Sequence, residues 1–96
     1  VKFREFVASL EAPACPGELE PCLQALWHDA NGDWDAAHEI VQQLHDRKAA
    51  RIHAYLHRKE GDEWNSRYWH RQAGSVFPEG MTLEEEWGFL ARELLD

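Results

Sequence analysis

An all-α fold of five to six helices is what this sequence predicts, with two tandem helical hairpins flanked by an N-terminal and a C-terminal helix. Three observations carry that expectation. Apolar residues recur at intervals of three and four along most of the chain, as they do on one face of a helix. No alternating β-branched run marks a strand. A Gly-Asp pair stands twice, at Gly32-Asp33 and at Gly61-Asp62, 29 residues apart.

The elements follow in order. Phe3, Phe6, Val7 and Leu10 place an amphipathic helix over 2–10, and the Pro-rich EAPACPGELEP is a loop. Leu19, Cys22, Leu23, Leu26, Trp27 and Ala30 form the apolar stripe of a second helix over about 19–31. Gly32 ends it in a left-handed turn, and Asp33 caps a third helix that buries Trp34, Ala37, Val41 and Leu44 and runs to about His45. Asp46 caps a fourth helix reaching Lys59. Its apolar residues, Ala49, Ile52 and Leu56 on one side and Ala50, Ala54 and Tyr55 elsewhere, girdle it as a central helix is girdled.

Glu60-Gly61-Asp62 repeats the stop-and-cap signal, and a fifth helix follows through Ala73 with Trp64, Tyr68 and Trp69. The tryptophans read mainly as core, but Trp64 and Trp69 are five apart and cannot share one stripe, so one of them is expected to be exposed. GSVFPEGM is a loop. Thr82 with Glu85 makes a capping box for a last helix over about 82–95, with Leu83, Trp87, Leu90 and Leu94 inward. The run Glu84-Glu85-Glu86 is expected as a solvated acidic face at the positive end of that helix. The hairpins then span about 19–46 and 47–74, within one helical domain over 1–96.

ALWHDANGDWDAAHEIVQQL (25–44) lies on AYLHRKEGDEWNSRYWHRQA (54–73) without a gap, matching Ala25/Ala54, His28/His57, Gly32/Gly61, Asp33/Asp62 and Gln43/Gln72. With small residues at Ala25, Ala37, Ala54, Ser66 and Ala73, and RYWHRQAG after the second turn, the pattern resembles tetratricopeptide and Sel1-like repeats. That resemblance implies closely approaching helix pairs and no particular activity. WHDANGDWDAAHEIVQ, HAYLHRKEGDEWNSRYWHRQAG and LEEEWGFLARELL are similar to a family of short, uncharacterised bacterial and fungal proteins. This second resemblance implies that the His-rich and Gly-Asp segments form one unit. Ser66 and His70 stand where that family's pattern has Ala and Tyr.

Composition narrows the functional classes. Five Trp and 44% hydrophobic residues supply enough apolar area for a folded core. No apolar run reaches the roughly 18–20 residues of a membrane-spanning helix, and charges interrupt VKFREFVASL as they do not interrupt a signal peptide. The opening at Val1 points to a start further upstream, and the cytoplasm is the expected location. Cys15 and Cys22, in CPGELEPC, fit no common zinc spacing; they read as reduced thiols, with a loop-closing disulfide as the alternative. A net charge of −8 argues against nucleic acid as a partner.

Two constellations carry chemistry. Among six histidines, His53 and His57 are i, i+4 and share a helix face, His28 is the repeat mate of His57, and His38 lies one turn into the third helix. His28, His38, His53 and His57 are therefore a candidate ligand set for a divalent transition metal such as Zn, with Asp29, Glu60 and Asp62 near enough to complete or orient it. HAYLH lacks the glutamate of HExxH, so no zinc-protease motif is present. The favoured reading is structural, with His28 and His57 bonding backbone or carboxylate groups near each hairpin turn; the metal site and acid–base catalysis are the alternatives to it.

The second constellation is basic. Residues 47–72 carry seven bases and three acids, a net of +4 that leaves −12 for the rest. Arg58, Asn65, Arg67 and Arg71 beside Trp64 suit a carboxylate or phosphate, unless Glu60, Asp62 and Glu63 already neutralise them. No Gly-rich phosphate loop and no Ser or Cys nucleophile elbow is present, which leans against an enzyme and leaves the question open. The expected function is a helical-repeat binding module for a protein, peptide or small anionic ligand, with a metal-binding or metal-dependent protein as the alternative. Homo-oligomerisation is compatible with either.

Overall fold

The computed structural model describes residues 2–95. They form six helices: α1 (Phe3–Ser9), α2 (Pro21–Ala30), α3 (Trp34–Gln42), α4 (Arg47–Lys59), α5 (Glu63–Ala73) and α6 (Leu83–Leu95). No strand occurs among the described residues. The third helix ends three residues before His45, because the amides of Gln43 and Leu44 bond to carbonyls only three positions back, Ile40 at 3.4 Å and Val41 at 3.1 Å. That tightened turn leaves Asp46 outside the helix. Its carboxylate then accepts the Ala49 amide at 2.9 Å and starts α4.

The two Gly-Asp turns are built alike. Gly32 and Gly61 take φ of 83° and 89°, a region costly for any side chain. The Asp33 amide donates to His28 O at 2.9 Å and the Gly32 amide to Asp29 O at 3.0 Å. In the second turn Asp62 donates to His57 O at 2.9 Å and Gly61 to Arg58 O at 3.1 Å. These nested bonds close the last turn of a helix on a left-handed residue. Asp33 then caps the Ala36 amide and Asp62 the Asn65 amide, at 3.0 and 3.1 Å. Each turn thus folds a helix back onto its predecessor, giving the packed pairs α2–α3 and α4–α5.

The apolar core draws on five helices. Phe6 of α1, Leu23 and Leu26 of α2, Ala37 and Val41 of α3, Ile52 and Leu56 of α4, and Leu90 and Ala91 of α6 form one buried cluster. Helix α4 packs against α2, α3, α5 and α6, as its apolar girth predicts. Indole N–H groups tie the elements: Trp27 donates to Ser9 O at 3.0 Å, Trp34 to Leu56 O at 2.7 Å and Trp87 to Leu26 O at 3.0 Å.

Helix α5 is different. Its buried residues are Ser66 and His70, and it contributes nothing to that buried apolar cluster. The Ser66 hydroxyl donates to Ala54 O at 2.7 Å, and Trp64 is the exposed tryptophan, at 73%. The acidic run of α6 needs a correction. Glu84 and Glu85 are exposed, but Glu86 is fully buried, held by Arg51 at 2.6 Å and Arg58 at 2.7 Å. Helical spacing turns it inward, where two guanidinium groups offset its desolvation.

Cys15 and Cys22 are free, and burial, followed by the nearby carboxylates of Glu20 and Asp46, pushes the Cys22 thiol up to about 12. Among the described residues no helix is long and apolar enough to cross a membrane.

Candidate metal centre

The seam between α3 and α4 gathers three imidazoles. His53 and His57 lie one turn apart on α4, and His38 arrives from α3, so that one nitrogen of each ring lies within 4.8 Å of the other two. His38 Nε2 and His53 Nε2 are 3.0 Å apart. Without an ion, one of these nitrogens carries the proton and donates to the other's lone pair. Two imidazole nitrogens on a tetrahedral ion, with bonds of about 2.0–2.1 Å, sit about 3.3 Å apart, so the observed separation needs little adjustment.

Aromatic rings fix these side chains. Trp34, four residues before His38 on α3, stacks on it at 4.8 Å between centroids and 10° between planes. Trp69 of α5 stacks on His53 at 3.9 Å and 10°, and the Trp34 and His57 rings meet at 5.9 Å with 69° between their planes. With its Nδ1 protonated, His57 donates to Glu60 Oε2 at 2.7 Å, which leaves Nε2 as its free lone pair. A carboxylate on the outer nitrogen of a ligating imidazole orients the ring and raises its basicity.

The electrostatics favour neutral rings at His38 and His53. Burial, then the neighbouring His38 and His57, lowers His53 to about 4. His38 is lowered by burial and by His57, with Glu60, Asp35 and Glu39 acting in the opposite direction. A neutral imidazole offers its lone pair to a metal near neutral pH without first losing a proton.

The sequence-derived sets are divided. His38, His53 and His57 converge, but His28 does not join them; its ring lies edge-on to Trp27 at 5.3 Å. Of the nearby acids, Glu60 reaches His57. Asp62 is occupied in capping, its carboxylate taking the amide and the Nδ2 of Asn65 at 3.1 and 2.6 Å. Asp29 is buried elsewhere, accepting from Tyr55 Oη at 2.8 Å and Lys59 Nζ at 2.9 Å.

The basic set meets internal partners. Arg58 binds Glu86 and Met81 O, while Arg67 spans Glu63 at 2.7 Å and Glu79 at 2.9 Å and lies over the Phe77 ring at 4.2 Å. Arg71 lies over Tyr68 at 5.9 Å, and Asn65 serves the Asp62 cap. Trp64 stands exposed, coplanar with Tyr68. Three of the four polar groups therefore meet carboxylates, and two of these acids, Glu86 on Arg58 and Glu79 on Arg67, are distant in sequence.

Sequence reasoning missed the two stacking tryptophans. For Trp34 the signal was its i, i+4 spacing to His38; for Trp69 no local signal exists, because the contact is made between helices. No protein-family model, curated protein or solved structure matches the chain.

Proposed function

We propose that this protein binds one divalent transition metal ion through His38, His53 and His57, with Glu60 as the outer partner of His57. The observation that carries the proposal is the convergence of three imidazole nitrogens within 4.8 Å on two different helices. Burial supports it by keeping the His53 ring neutral, and the stacked tryptophans support it by orienting the rings of His38 and His53. Three neutral nitrogen ligands suit Zn²⁺ and its borderline neighbours, and they leave a fourth position for water or a further ligand. Anion binding at the Arg58, Asn65, Arg67 and Arg71 set is less well supported, since Arg58 and Arg67 already hold carboxylates.

The test is a thermal melt of protein purified without a His tag, with and without added Zn²⁺. Ligand at about one hundred times its Kd stabilises by about 2.7 kcal/mol, which for a domain of this size raises Tm by about 10 °C or more. His57→Gln is expected to abolish the rise and His28→Gln to leave it intact. An unmoved Tm in protein that also carries no transition metal as purified would overturn the proposal.

A further inference from the structure

A cavity of about 370 Å³, open on one side, lies between the first half of α4, the end of α5 and the last half of α6. Ile52, Ala73, Phe89, Leu90 and Leu94 make up its apolar lining, and Ser75 adds a hydroxyl. Ile52 and Leu90 are buried behind it, and the Phe89 ring, 45% exposed, borders it. Its rim is basic, with Arg47, Lys48 and Arg51 from the first turns of α4. Arg51 uses one guanidinium nitrogen on Glu86, at 2.6 Å. Arg47 and Lys48 are exposed and form no ion pair among the described residues. Glu93 is the one acid among the lining residues. A chain of net charge −8 has thus placed three cations and one anion around an apolar cavity.

We propose that this cavity binds a small amphipathic carboxylate, such as a medium-chain fatty acid. The alkyl chain would lie on Ile52, Leu90 and Phe89, and the carboxylate would meet Arg47, Lys48 and the remaining donors of Arg51. Size selects this occupant. Ligand pockets measure about 300–1,000 Å³, and this cavity falls within that range. A stable protein partner buries about 800 Å² on each side, more than a cavity of these dimensions offers. Charge selects it too, because a guanidinium beside an ammonium recognises a carboxylate through charge-assisted hydrogen bonds. None of these residues is a ligand in the histidine cluster, so this proposal stands or falls apart from the metal.

The experiment is a titration of the full chain followed by amide NMR, using decanoate, decanol and acetate as separate probes below their aggregation limits. Decanoate is expected to shift the amides around Ile52, Phe89 and Leu90 saturably. Decanol should act at the same place at least about tenfold more weakly, and acetate should have no effect. The double variant Arg47→Glu, Lys48→Glu changes two exposed residues, and its helicity is checked by circular dichroism. It should weaken decanoate about tenfold and leave decanol unchanged. Decanol binding as tightly as decanoate would overturn the proposal. So would shifts centred elsewhere, or shifts at these residues that follow protein concentration without any ligand, which would mean a second copy occupies the face.

Discussion

The α2–α3 pair is closed by hydrocarbon, with Ala25, Leu26, Ala37 and Val41 buried in the common core. The α4–α5 pair has the same Gly-Asp turn, yet it is closed by the Ser66 hydroxyl on Ala54 O and by Trp69 stacked on His53, while buried His70 bonds Ser75 Oγ at 2.8 Å just past the end of α5. Apolar contacts are non-directional and hold a helix without fixing any polar atom. Hydrogen bonds and ring stacks are directional, and here they also fix the His53 imidazole. The difference explains why equivalent histidines have unequal surroundings. One turn before His57 the chain has His53, whereas one turn before His28 it has Gln24, which donates to Leu19 O at 2.7 Å. The third imidazole, His38, reaches the second pair from the first. The candidate centre is therefore a product of the seam between the pairs.

Acidification should expose the comparison most strongly. His70, like His53, is lowered to about 4, by burial first and then by Arg51, and its Nε2 is buried without a partner. An unfolded chain protonates both residues near 6.5, so between the two values the unfolded state binds more protons. Stability is then full above about pH 6.5 and is lost as pH falls towards 4, on the order of 2 kcal/mol per histidine by about pH 5. Urea denaturation across this range, with chelator present, measures it. His70→Phe should flatten the slope, and stability unchanged between neutral pH and about pH 5 would break the account of a polar α4–α5 interface.

Truncation should separate the pairs by a smaller margin. Leu26 is fully buried in α2, and Leu26→Ala should cost about 3 kcal/mol. Ser66→Ala, which removes one hydroxyl bond to a helical carbonyl, should cost about 1 kcal/mol. Equal losses in urea denaturation would mean that the two interfaces are held by the same kind of contact.

Much of this architecture was legible because its signals are local. Gly32 and Gly61 end helices, Asp33, Asp46 and Asp62 start them, and Thr82 with Glu85 closes a capping box at 3.0 and 2.9 Å. The His53–His57 pair was legible for the same reason, as a matter of spacing along one helix. Periodicity reports which face a residue occupies and not which helix will meet that face. That limit hid the burial of Glu86 between Arg51 and Arg58, the stacking of Trp69 on His53, and the separation of His28 from the other three. It also hid the cavity rimmed by Arg47 and Lys48, whose walls come from helices far apart in the chain. Ser66 and His70 prove to be the two buried residues of α5, and both are polar.

Anomalous diffraction from crystals of untagged, zinc-loaded protein would locate a metal at the seam between the pairs. One zinc peak is expected between α3 and α4, about 2.0–2.1 Å from a nitrogen of each of His38, His53 and His57. A peak on His28, a peak held by His57, Glu60 and Asp62 without His38 and His53, or no peak at the seam would contradict the proposed centre.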